Sequence, residues 1–258
     1  MTLADRNEAL SKVPAVVLTF WVVKILATTL GETGGDAVAQ TMNVGYAPST
    51  VIFFAIFVVL AALQIRAKRF HPFLYWSVIV ATTTAGTTLA DFADRSLGIG
   101  YTGGSILLFG LLMACLAAWR FTIGSISVDR ITSPRVEAFY WATIFFSNTL
   151  GTALGDFLAD ETPLGFAGAS VVFAGLLALV AGAWFFTRLP KALLFWAAFI
   201  LTRPLGATVG DLLTKPNDHG GLALGTFASS AVIAVALIAL VALTPQRAGG
   251  HPSTERAW

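Results

Sequence analysis

A chain of 258 residues that is 56% hydrophobic and only 12% charged, with a mean hydropathy of +0.78, is not an ordinary soluble domain, which carries about twice that charge. A net charge of +2 gives no electrostatic footprint for nucleic acid, and the lone Cys115 excludes a disulfide framework and a cysteine metal site. The composition is that of an integral membrane protein whose main partner is the lipid bilayer.

Apolar spans fall at residues 14–40, 48–65, 72–92, 102–119, 138–158, 167–187, 192–213 and 222–243, each near the ~20 residues that a bilayer helix needs. The expected fold is all-α and polytopic, with eight transmembrane helices. The organisation reads as a tail at 1–13, helices 1–4 within 14–128, helices 5–8 within 129–244 and a second tail at 245–258. No cleavable signal is visible, because the polar start leads straight into a span that carries the first motif.

Basic residues cluster in alternate connections. Arg6 and Lys12, then Arg66, Lys68 and Arg69, then Arg120, Arg130 and Arg135, then Arg188 and Lys191 fall on one side, whereas the other side holds only Arg95 and Lys215. The positive-inside rule therefore places both termini in the cytoplasm.

Four motifs hold register along the chain. Gly31-Glu32-Thr33-Gly34-Gly35-Asp36 recurs in reduced form as Gly86 to Asp91, Gly151 to Asp156 and Gly206 to Asp211, each reading G-x-x-x-[G/A]-D. Each begins ten residues after a tryptophan (Trp21, Trp76, Trp141, Trp196), and nine residues beyond each Asp stands another glycine (Gly45, Gly100, Gly165, Gly220). These are four tandem two-helix repeats. An even number of spans per repeat makes the repeats parallel, related by an axis near the membrane normal, with the motif helices gathered around it.

Gly31 and Gly35, Gly151 and Gly155, and Gly206 and Gly210 stand four apart on one helical face, and Gly86 pairs in the same way with Ala90. Small residues at that spacing let helices approach closely in lipid, so they read as packing seams. The tryptophans read as interface anchors, with cation binding or stacking as the other reading.

Asp36, Asp91, Asp156 and Asp211 lie at one depth, about 22 Å along the helix from their tryptophans. Either they end their helices in solvent, or they form a ring facing a cavity. An acidic group near a helix C-terminus meets carbonyls of like sign, a conflict that a bound cation removes. Glu32 lies one turn before Asp36, and two neighbouring carboxylates do not both ionise easily unless neutralised.

Lys24 and Arg203 are the charge partners inside the spans, and Pro204 is expected to kink helix 7. Five acidic groups against these two basic ones leave the spans net negative, which favours cations. Carboxylate and hydroxyl oxygens, with no His in any span, suit hard divalent ions. Glu32, Asp36, Asp91, Asp156 and Asp211 are thus the candidate cation, proton and metal ligands.

The W-x9-G-x3-[G/A]-D pattern in four copies, covering about residues 21–243, resembles a bacterial family of integral membrane proteins defined by a repeat of unknown function. That resemblance implies the fold and a bacterial inner-membrane setting. A second likeness is one of site chemistry: Glu32-Thr33-Gly34-Gly35-Asp36 is similar to the E-x-G-D of calcium and manganese cation/proton exchangers, with one extra residue and with Ala37 where those have Lys or Arg.

The function expected is secondary transport of a small cation, divalent and proton-coupled, with no organic cofactor and no enzymatic activity. The alternative is a non-transporting membrane sensor or assembly protein. An intramembrane aspartyl protease is more remote, since its G-x-G-D needs a glycine where this chain has Thr33, Thr88, Ala153 and Thr208.

Overall fold

The computed structural model describes residues 12–126, 131 and 133–249. Arg6 and Arg130 of the charge pattern, most of the N-terminal tail and the end of the C-terminal tail lie outside the described residues.

Eight long helices carry the described chain: α1 (Leu18–Asp36), α2 (Tyr46–Arg66), α3 (Pro72–Asp91), α4 (Gly100–Ile123), α5 (Pro134–Asp160), α6 (Gly165–Phe186), α7 (Lys191–Thr214) and α8 (Thr226–Leu243). Their ends follow local rules. Pro72 and Pro134 occupy the first turns of α3 and α5, where a missing N–H costs nothing, and the Ser133 hydroxyl accepts from the Val136 N–H at 3.4 Å. Helices α1 and α3 each continue through a π-helical turn, Ala37–Thr41 and Phe92–Ser96. The glycine that follows each motif Asp by nine residues has positive φ, +86° at Gly45, +72° at Gly100, +60° at Gly165 and +79° at Gly220. The recurring glycine is thus the reversal point between the two helices of a repeat.

Six of the eight helices, α2, α3, α4, α6, α7 and α8, are long and apolar enough to cross a membrane. Helices α1 and α5 carry too much polar side chain for that measure. Most of their polar side chains, among them Lys24, Glu32, Asp36, Asn148 and Asp156, are buried against other helices. The chain is a helical membrane protein.

The packing is cyclic. Helices α1, α3, α5 and α7 form a closed inner ring, α1 on α3, α3 on α5, α5 on α7 and α7 on α1. The even helices stand outside, each packed on the odd helix of the following repeat: α2 on α3, α4 on α5, α6 on α7, and α8 back on α1. Burial separates the layers, with 72% of the α3 span buried against 11% of the α6 span.

The glycine motif makes the inner ring possible. A β-carbon on Gly86 would stand 3.0 Å from the Thr149 N and 3.2 Å from the Asn148 carbonyl carbon, and one on Gly206 would stand 2.9 Å from the Thr29 N. Gly31 faces Thr83 and Gly151 faces Arg203 and Pro204, so each motif glycine meets the next repeat at the same place. One turn on, Gly35 lies against Thr87, Gly155 against Ala207 and Gly210 against Glu32. Ala90, the one alanine at this position, is buried with Leu150 and Ala153. Helix α7 runs unbroken from Lys191 to Thr214 with Pro204 inside it. The Pro204 ring packs beside Gly151, where an added β-carbon would stand 3.0 Å from its Cδ.

Outside the ring, an apolar cavity of about 320 Å³ lies between α1, α2, α3 and α8, lined by Leu30, Phe53, Leu60, Val80 and Leu237. It carries no carboxylate.

Candidate functional site

Because the four odd helices run parallel, equivalent positions of the repeats meet in layers along one axis. The lowest layer is aromatic. The residue before each tryptophan is also a ring, and each packs on the tryptophan of the next repeat: Phe20 on Trp76 at 5.5 Å, Tyr75 on Trp141 at 5.6 Å, Tyr140 on Trp196 at 6.3 Å and Phe195 on Trp21 at 5.7 Å between centroids. The Tyr75 and Tyr140 hydroxyls share a hydrogen bond of 2.6 Å. Each such pair contributes about 0.5–1.5 kcal/mol beyond its buried area. Trp76, Trp141 and Trp196 are buried here and Trp21 is partly buried, in a floor of tilted rings packed against one another.

Above the floor, Lys24 shares a layer with Ile79, Ile144 and Phe199. Its ammonium lies 4.2 Å from the centroid of the Phe199 ring and 3.4 Å from Asn148 Oδ1. Asn148 in turn donates to Thr82 at 2.9 Å. Among the described residues no carboxylate pairs with Lys24. Arg203 stands higher and is fully buried. Its Nη2 donates to Glu32 at 2.8 Å, Thr87 at 2.5 Å and Thr152 at 2.6 Å. Glu32, Thr87, Thr152 and Ala207 are the same repeat position, directly after the motif glycine. The small Ala207 belongs to Arg203's own helix, and the guanidinium closes the axis at this level.

The aspartates occupy the far end, buried and gathered as two pairs rather than one even ring. Lys215 lies 2.6 Å from Asp36 and 3.3 Å from Asp211; Arg95 lies 3.1 Å from Asp91, 3.5 Å from Asp156 and 3.7 Å from Asp160. Both bases sit four residues after an aspartate of their own repeat and reach the aspartate of the next. The same position holds Gln40 in repeat 1, whose amide donates to Asp36 at 2.5 Å, and Asp160 in repeat 3. Lys215 is just beyond the end of α7. Burial alone would lower its pKa, but Asp211 and Asp36 outweigh that and hold it above the ordinary lysine range.

The sequence count of two basic groups therefore omits Arg95 and Lys215, which here act as carboxylate partners. Four basic groups balance most of the charge of the five carboxylates. One set of carboxylates converges. Glu32, Asp36 and Asp211 each offer an oxygen within 4.8 Å of the others, all buried, and Asp211 Oδ1, though near Lys215, is not aligned for a hydrogen bond. In calcium coordination at 2.3–2.6 Å, oxygens on opposite sides of the ion are about 4.6–5.2 Å apart, so the three oxygens are close enough together to reach one ion, and the Lys215 ammonium lies against two of their carboxylates. Asp91 and Asp156 belong to the Arg95 cluster and are not part of that set.

The missed residues had signals in the chain. Aligning the repeats on the motif glycine displays an aromatic column before the tryptophans, the Glu/Thr/Thr/Ala column, and the Gln/Arg/Asp/Lys column four residues past each aspartate.

Fold and site together define a polytopic helical membrane protein built from four cyclically packed repeats around a buried polar axis. A family model described as a Repeat of Unknown Function (DUF347) matches residues 19–70, 74–124, 139–189 and 194–244, and the chain belongs to that family. No curated protein and no solved structure matches the chain.

Proposed function

We propose that this protein is a secondary transporter that exchanges a small hard cation, of the divalent class, against protons. The observation that carries the reading is the buried convergence of Glu32, Asp36 and Asp211, with the Lys215 ammonium lying against two of the three carboxylates. In this reading the tethered ammonium stands in for the cation and is displaced when the ion binds. Glu32 and Asp36, one turn apart, carry the exchanged proton.

All eight helices span the bacterial inner membrane, with the aromatic floor and both termini on the cytoplasmic side, as the distribution of basic residues supports. The two halves, repeats 1–2 and 3–4, meet along two seams, α3 with α5 and α7 with α1. Arg95 bridges the first and Lys215 the second. Alternating access by rocking of the halves opens the aspartate end by breaking both bridges, while the stacked rings keep the other end shut.

A second reading, a non-transporting sensor or assembly protein, has one observation in its favour. Each of the five buried carboxylates already has a basic partner, so the polar axis serves equally as a device that pins helix packing. Two carboxylates bridged by a base differ from the proton-sharing pair of an aspartyl protease, which supports a non-enzymatic role.

The deciding experiment uses proteoliposomes of the purified chain, with uptake of a panel of mono- and divalent cations recorded alongside internal pH for wild type and Asp36→Asn. Cation entry with opposite proton movement, abolished in Asp36→Asn, is expected. Absence of flux for every cation under either pH gradient would sink the transport reading and favour the second.

A further inference from the structure

The axis between the aromatic floor and the Glu32 level holds a charge imbalance that cation exchange does not use. Lys24 and Arg203 are both fully buried there, and among the described residues Glu32 is the one carboxylate that pairs with either, through Arg203. Burial first, and the like charge of Arg203 second, act against the Lys24 ammonium, and an anion beside it removes both objections.

The hydrogen-bond inventory is equally incomplete. Arg203 commits Nη2 to Glu32 and the two threonines, but its Nε and Nη1 have no hydrogen-bond partner. The Lys24 ammonium makes a single long contact, 3.4 Å, to Asn148. The hydroxyl of Ser147, one residue before Asn148, is fully buried and also without a partner. Buried donors of this kind are normally satisfied, and a buried cation without a counter-charge is strongly disfavoured.

We propose that a small monovalent anion of the halide class binds on the axis between Lys24 and Arg203, accepting from the ammonium, the unused guanidinium N–H groups and the Ser147 hydroxyl. Monovalence follows from the excess of one positive charge over Glu32. Small size follows from the enclosure, with stacked rings below and the Arg203–Glu32 pair above. The ion neutralises the excess charge and satisfies the free donors together, which water cannot do. The proposal is independent of whether the aspartate end transports cations.

The test is thermal unfolding of the detergent-solubilised chain in sodium chloride, sodium bromide and sodium gluconate at equal ionic strength. At a halide concentration roughly 100-fold above its dissociation constant, Tm is expected to rise by about 5 °C over gluconate. Lys24→Met removes that difference. Ser147→Ala, which deletes only a hydroxyl and keeps the charges, reduces it and serves if Lys24→Met does not fold. Equal Tm in all three salts overturns the proposal, as does a halide effect that persists at full size in either variant.

Discussion

Lys215 and Asp36 lie 179 residues apart in the chain, yet their charged atoms are 2.6 Å apart. This pair, with Asp211 at 3.3 Å, joins the last repeat to the first. Lys215→Met leaves two buried carboxylates facing each other, and a loss of about 3–5 kcal/mol is expected when one partner of a buried pair is removed. The pH dependence has a definite sign. The folded pKa of Lys215 is held above the unfolded value of about 10.4, so its contribution is fully present below that value and is lost as pH rises through the folded one. The Tm difference between wild type and Lys215→Met should therefore gain no slope from the lysine between pH 6 and 9 and should shrink only in strong alkali.

Glu32 and Arg203 should be coupled. Glu32→Gln leaves the guanidinium buried without its counter-charge and is expected to cost about 3–5 kcal/mol. Arg203→Met has the reverse fault. The double variant removes both charges, and its destabilisation should fall short of the sum of the singles by at least about 1 kcal/mol. Additive costs, measured by denaturant unfolding, would show that the pair does not interact.

The glycine seams predict a contrast between two motif glycines in different repeats. A β-carbon at Gly86 meets the backbone of Asn148 and Thr149, whereas one at Gly34 meets nothing within 4 Å. Gly86→Ala should lower stability by about 1–3 kcal/mol through overpacking. Gly34→Ala should be neutral or slightly stabilising, because alanine favours the helix. Melting temperatures of the two variants in the same detergent make the comparison.

The aromatic floor should be sensitive to single deletions. Trp76→Ala removes a fully enclosed ring that packs on both Phe20 and Tyr75, and a loss of about 3–5 kcal/mol is expected. Tyr75→Phe leaves the Tyr140 hydroxyl without its 2.6 Å partner and should cost about 1 kcal/mol.

The repeat, the parallel inner helices and the packing role of the glycines were legible because four landmarks keep strict register, and a helix converts equal spacing into equal height. The partners of the aspartates were not read as such. Arg95 and Lys215 fall where hydropathy drops, so they look like loop charges, although Arg95 is carried on a further helical turn beside Asp91. The repeat tryptophans suggested lipid interfaces because that residue is enriched at that level, and only the ring beside each one signals that it packs on its neighbours. Which odd helix an even helix covers is set by lateral packing. A short connection such as the one between Thr41 and Tyr46 permits its own repeat or the next.

That last choice has a consequence for how the chain is made. Since α8 is the outer cover of α1, α1 waits until α8 has been made before its lateral face is shielded, and the contact closing the circle joins helices about 200 residues apart. Folding therefore ends on its longest-range event, and until then the early helices depend on lipid or an insertion factor for shelter.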